Sequence, residues 1–92
     1  MEIVTISAAI QEKRKIEFFQ TIEPLKSLVK NYCQKLEIEV SPENNLQINI
    51  SFESKKEMEK NFNNNEFNIL KGTVRSLCDN VTIMINDVIE QK

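Results

Sequence analysis

The sequence predicts an α+β domain in which four antiparallel strands form one sheet with the helices on one of its faces. Three observations predict it. Four stretches alternate apolar and polar residues with the two-residue period of a half-buried strand. Two other regions repeat apolar residues at the three-and-four spacing of a helix. Their order along the chain is β-α-β-β-α-β, the split or ferredoxin-like arrangement. Ninety-two residues make a single domain spanning positions 1–92. At 40% hydrophobic and 28% charged residues, the composition is that of a folded chain despite the run Asn63-Asn64-Asn65.

The first strand covers Ile3 to Ile10, with Val4, Ile6, Ala8 and Ile10 on one face and Ile3, Thr5, Ser7 and Ala9 on the other. Phe18, Ile22, Leu25, Val29 and Tyr32 then form one apolar stripe, which predicts a helix from about Lys13 to Tyr32. Pro24 falls inside it and removes a backbone donor, so a kink is expected near Gln20. Leu36, Ile38 and Val40 alternate with charged residues, and Leu46, Ile48, Ile50 and Phe52 alternate with polar ones. The intervening Ser41-Pro42-Glu43-Asn44-Asn45 has turn chemistry, so the two strands make a hairpin. Ser54 and Glu57 have capping-box spacing ahead of a short helix with Met58 and Phe62. After the asparagines, Asn65 is placed to cap a second segment carrying Phe67, Leu70, Val74 and Leu77. Asp79-Asn80 should end that segment. Val81, Ile83 and Ile85, alternating with Thr82, Met84 and Asn86, give the last strand.

Several function classes fall away on composition. The chain has no histidine, which excludes histidine-based catalysis and histidine metal ligation. Net charge is −2 with an isoelectric point near 5.2, and the basic residues are interspersed with acids, unlike a nucleic-acid binder. No apolar run approaches the roughly 20 residues that cross a bilayer, and Glu2 stands where a signal peptide needs positive charge; a cytoplasmic, membrane-free setting is expected. Cys33 and Cys78 have neither metal-site nor redox-pair spacing, so both are expected as reduced thiols. Each closes the end of its own helix in an antiparallel pair. A helix of about 19 residues spans roughly 28 Å, whereas a disulfide needs Cα atoms within about 7 Å.

The strand faces not used by the core collect Thr5, Ser7, Glu37, Glu39, Gln47, Asn49, Ser51, Thr82, Met84 and Asn86. This polar face either meets water or lines a wet cavity. It has no aromatics of the kind an RNA-recognition sheet uses for stacking, and the chain has no paired-cysteine metal loop.

Val4-Thr5-Ile6-Ser7-Ala8-Ala9-Ile10, followed by Glu12-Lys13-Arg14 and Phe18, is similar to the opening strand and helix start of the antibiotic biosynthesis monooxygenase (ABM) domains. Asn49-Ile50-Ser51-Phe52-Glu53-Ser54-Lys55-Lys56-Glu57-Met58-Glu59 resembles their strand end and second helix. Asn63-Asn64-Asn65-Glu66-Phe67 sits where they often have a small-residue turn ending in His-Phe. The resemblance spans essentially the whole chain. It implies a dimeric α+β barrel, a homodimer whose two sheets pack face to face with the helices outside. It also implies either a monooxygenase without cofactor acting on quinols or aromatic polyketides, or a haem-degrading oxygenase. The departures bear on which. Phe52 stands at the common tryptophan and Glu66 at the common histidine; Ser7 or Ala8 replaces the haem-degrading asparagine, and Lys71 or Thr73 the axial histidine. Tyr32, ahead of Cys33, stands where a glycine is usual. The haem branch is therefore set aside, and no cofactor is expected.

On this reading the polar face lines the pocket. Asn49 is the candidate catalytic residue, as a hydrogen-bond donor to an ionising hydroxyl, and Thr5, Ser7, Ser51, Phe52, Glu66 and Met84 are the candidate substrate-pocket residues. Each has a plainer alternative: a solvated or dimer-facing position for the sheet residues and Met84, the core for Phe52, and a helix-dipole role for Glu66. Two functions stay open, a monooxygenase of a small aromatic substrate and a ligand-binding or sensing dimer that keeps the barrel without the reactive residues.

Overall fold

The computed structural model describes residues 2–87. The strands are β1 (Glu2–Ile10), β2 (Lys35–Val40), β3 (Asn45–Phe52) and β4 (Cys78–Asp87), and the helices α1 (Lys15–Val29), α2 (Lys55–Asn61) and α3 (Asn65–Leu77). They form one antiparallel sheet of order β2-β3-β1-β4. This is the β-α-β-β-α-β topology that the periodicities predict, with the second helical region split into α2 and α3.

Alternation decides which side is covered. Val4 and Ile6 of β1 and Ile48 and Ile50 of β3 are fully buried, as are Phe18, Ile22 and Val29 of α1 and Phe67, Leu70 and Val74 of α3. Burying one such side chain stabilises the fold by about 1.5–3 kcal/mol. Phe52, Phe62 and Phe67 pack edge-on or tilted against one another with ring centroids 5.6–6.3 Å apart, closing the core where α2 meets α3. Glu2 is the exception on this side, 4% exposed with Oε1 unpartnered among the described residues.

The helix ends refine the sequence expectations. The first helical stretch is α1 flanked by short 3-10 turns at Glu12–Arg14 and Lys30–Tyr32, rather than one helix from Lys13 to Tyr32. The helix runs through Pro24; Gln20 and Pro24 both face outward, where water can serve the carbonyl left without its donor. Ser54 Oγ accepts from the Glu57 amide at 3.2 Å, as predicted, but the Glu57 carboxylate takes the Asn61 amide at 3.3 Å instead of reaching back. The cap of α3 is Asn64, not Asn65: its Oδ1 accepts from the Phe67 amide at 2.9 Å.

The last strand begins earlier than predicted. Cys78 follows α3 directly and pairs with Ile10, while the register slips between Ser7 and Ala9. Asn80, at φ 56°, absorbs the slip, because asparagine tolerates the left-handed region at small cost. Asp79-Asn80, which read as a helix stop, is therefore a bulge inside the strand. Ile85, expected in the core, is 54% exposed because it lies near the far end of an edge strand. At the hairpin tip, Asn44 adopts φ 66°, its carbonyl accepts from Ile10 N at 2.9 Å and its side-chain amide donates to Glu12 at 3.0 Å. The turn is thereby fastened to the end of β1.

Cys33 and Cys78 are both free thiols. Cys78 lies beside Ile10, whereas the residue after Cys33, Gln34, donates to Ser51, which pairs with Ile3. The two ends of β1 from Ile3 to Ile10 are about 23 Å apart.

Candidate functional site

The face of the sheet away from the helices is uncovered, and the register places its side chains in rows. Lys35, Ser51 and Ile3 form one row; Glu37, Asn49, Thr5 and Met84 the next; Glu39, Gln47, Ser7 and Thr82 the third. Asn49 is central. Its Oδ1 accepts from Thr5 Oγ1 at 3.0 Å and from Gln47 Nε2 at 3.4 Å. With the oxygen doubly occupied, the amide is held in one orientation. Its Nδ2 has no acceptor among the described residues and is available to a ligand oxygen.

Asn49 and Ser51 line a shallow groove of about 680 Å³ together with Ile3, Gln34, Lys35 and Glu37. Ile3 supplies its apolar floor, and Lys35 Nζ is paired with Glu37 at 3.4 Å. A second groove of about 850 Å³ continues toward the hairpin, lined by Ser7, Glu39, Glu43 and Gln47 among others. The hydrogen-bonded pair Gln47–Asn49 joins the two.

Of the residues predicted from the sequence, Asn49, Thr5, Ser7, Ser51 and Met84 share this face, Met84 being 52% exposed beside Thr5. Phe52 and Glu66 do not join them. Phe52 is fully buried on the helix side, against Phe62 and Phe67, because strict alternation along β3 turns it away from Ser51. Glu66 lies in the first turn of α3, in the helical layer across the sheet from Asn49. Lys71, which the resemblance sets together with Thr73 where haem-degrading relatives have an axial histidine, seats its ammonium 4.2 Å from the Phe62 ring centre and donates to Asn63 Oδ1 at 3.2 Å. Burial, reinforced by nearby Arg75, lowers its pKa. It braces the α2–α3 junction.

Sequence reasoning gave no role to Gln47 or Ile3 beyond their place in the alternation. For Gln47 the signal was present, since open-face parity puts it two residues from Asn49 on the same side of β3, whereas only the cross-strand register shows that Ile3 adjoins Ser51. A third cleft, of about 420 Å³, lies on another side of the molecule between Tyr32, Cys33, Phe52 and α2. Burial raises the pKa of the Cys33 thiol against the opposing effects of the Lys35 backbone and Lys30, and its Sγ donates to the Val29 carbonyl at 3.6 Å. Burial, with Asp79 adding to it, likewise raises that of Cys78 despite Arg14. Both groups favour the neutral thiol, the weaker nucleophile. No three acidic or cysteine side chains among the described residues converge as metal ligands, and no helix among them is long and apolar enough to cross a membrane.

No protein-family model matches the chain, and no curated protein matches it by sequence. Solved structures do match in shape. A presumed antibiotic biosynthesis monooxygenase from Deinococcus radiodurans superposes with a TM-score of 0.82 at 9% identity, covering 100% of this chain and 96% of that one. One from Nitrosomonas europaea gives 0.80 at 9% identity, covering 98% and 100%. One from Caulobacter crescentus gives 0.81 at 16% identity, covering 97% and 90%. At such identities the likeness is one of fold.

Proposed function

We propose that this chain, which has the fold of the antibiotic biosynthesis monooxygenases, forms a homodimer through its open sheet face and holds a small phenolic or quinol-type molecule there. On this reading it acts as a monooxygenase that needs no cofactor. The observation that carries the proposal is Asn49: an amide whose oxygen is held by Thr5 and Gln47, leaving its N–H toward a groove floored by Ile3. A donor fixed in that way favours the ionised form of a bound hydroxyl, and a second sheet packed over it would exclude water and strengthen the bond. The aryloxide then passes an electron to dioxygen, and the two radicals combine at a ring carbon. For an anthrone the net change is CH₂ to C=O, with the second oxygen atom leaving as water.

Oxygen uptake with a panel of hydroquinones and anthrones tests this. The native protein should turn over at least one of them, and Asn49→Ala should lose about a hundredfold in rate, the usual cost of removing one such donor. Equal rates in both proteins would remove Asn49 from the chemistry. One observation favours a second reading, a binding or sensing dimer without turnover. Phe52 and Glu66, which stand at the family's tryptophan and histidine, lie across the sheet from the groove. No uptake by the native protein, with ligand binding retained, would establish that reading.

A further inference from the structure

We draw no further inference here: the strongest candidate, the buried Glu2 carboxyl at the start of β1 with its unpartnered Oε1, lines neither groove of the open face nor the cleft beside α2, and nothing in the structure shows a ligand or partner that meets it.

Discussion

On the helix side of the sheet β1 and β3 present Val4, Ile6, Ile48 and Ile50, none of them exposed; one residue along, the same strands present Thr5, Ser7, Gln47 and Asn49 to the open side. The two faces share every backbone hydrogen bond, so the ladder does not distinguish them. What differs is the cover. Side chains facing α1 and α3 are bound by packing, where a lost methylene leaves a cavity. Those on the open face touch only their neighbours in the sheet. Stability therefore resides on one side, and the other is free to carry amides and charges whose burial in the core would cost dearly. The Asn49–Thr5 hydrogen bond is affordable on the open side and would be a liability one residue along.

The largest expected effect lies in the core. Phe67→Ala, which removes a fully buried ring lying 5.6 Å from Phe62 and 5.7 Å from Phe52, should cost about 3–5 kcal/mol in urea unfolding. Asn49→Ala should change the same quantity by no more than about 1 kcal/mol, the net worth of a part-exposed hydrogen bond. Similar costs for the two would mean that the open face also holds the fold together.

An intermediate effect is expected on assembly. The native protein should scatter light as twice 10.7 kDa, and Thr82→Lys, which puts a charge on the exposed open face, should bring the mass down to one chain and lower unfolding stability only by the association that is lost. A native mass of 10.7 kDa would leave the face solvated and remove the dimer.

The smallest effect belongs to neither face. Gly72 lies in α3 pointing outward, and an added methyl group would meet nothing within 4 Å. Gly72→Ala should therefore raise stability by up to about 1 kcal/mol through the helix preference alone. A loss would imply that the outside of α3 is in contact with something.

The contrast between the faces also explains how much was legible in the sequence. Alternation is a local signal of period two, so β1, β2 and β3 and the parity of Thr5, Asn49 and Ser51 could be read directly. Phe52 carried a conflicting cue, since its place in a family pattern suggested a pocket while its parity gave the core, and parity prevailed. The start of β4 was misread because Asp79-Asn80 has the same chemistry as a helix stop and as a bulge. Only the pairing of Cys78 with Ile10 distinguishes them. What stayed hidden was everything set by register between strands: Thr5 holding the Asn49 oxygen, and Ile3 lying beside Ser51 at the floor of the groove. Those contacts join positions distant in sequence, which no local period reports.

The central claim is that the open face, and not the helix side, receives the ligand. The measurement that reaches it most directly is an amide NMR titration of the native protein with a small neutral phenol, 4-ethylphenol. The account predicts that the side-chain amides of Asn49 and Gln47 and the backbone signals of Thr5 and Ser51 shift in a saturable way, while those of Phe62, Phe67 and Tyr32 stay still. Saturable shifts centred on Tyr32, Cys33 and Glu57, around the cleft beside α2, with Asn49 unmoved, would contradict it.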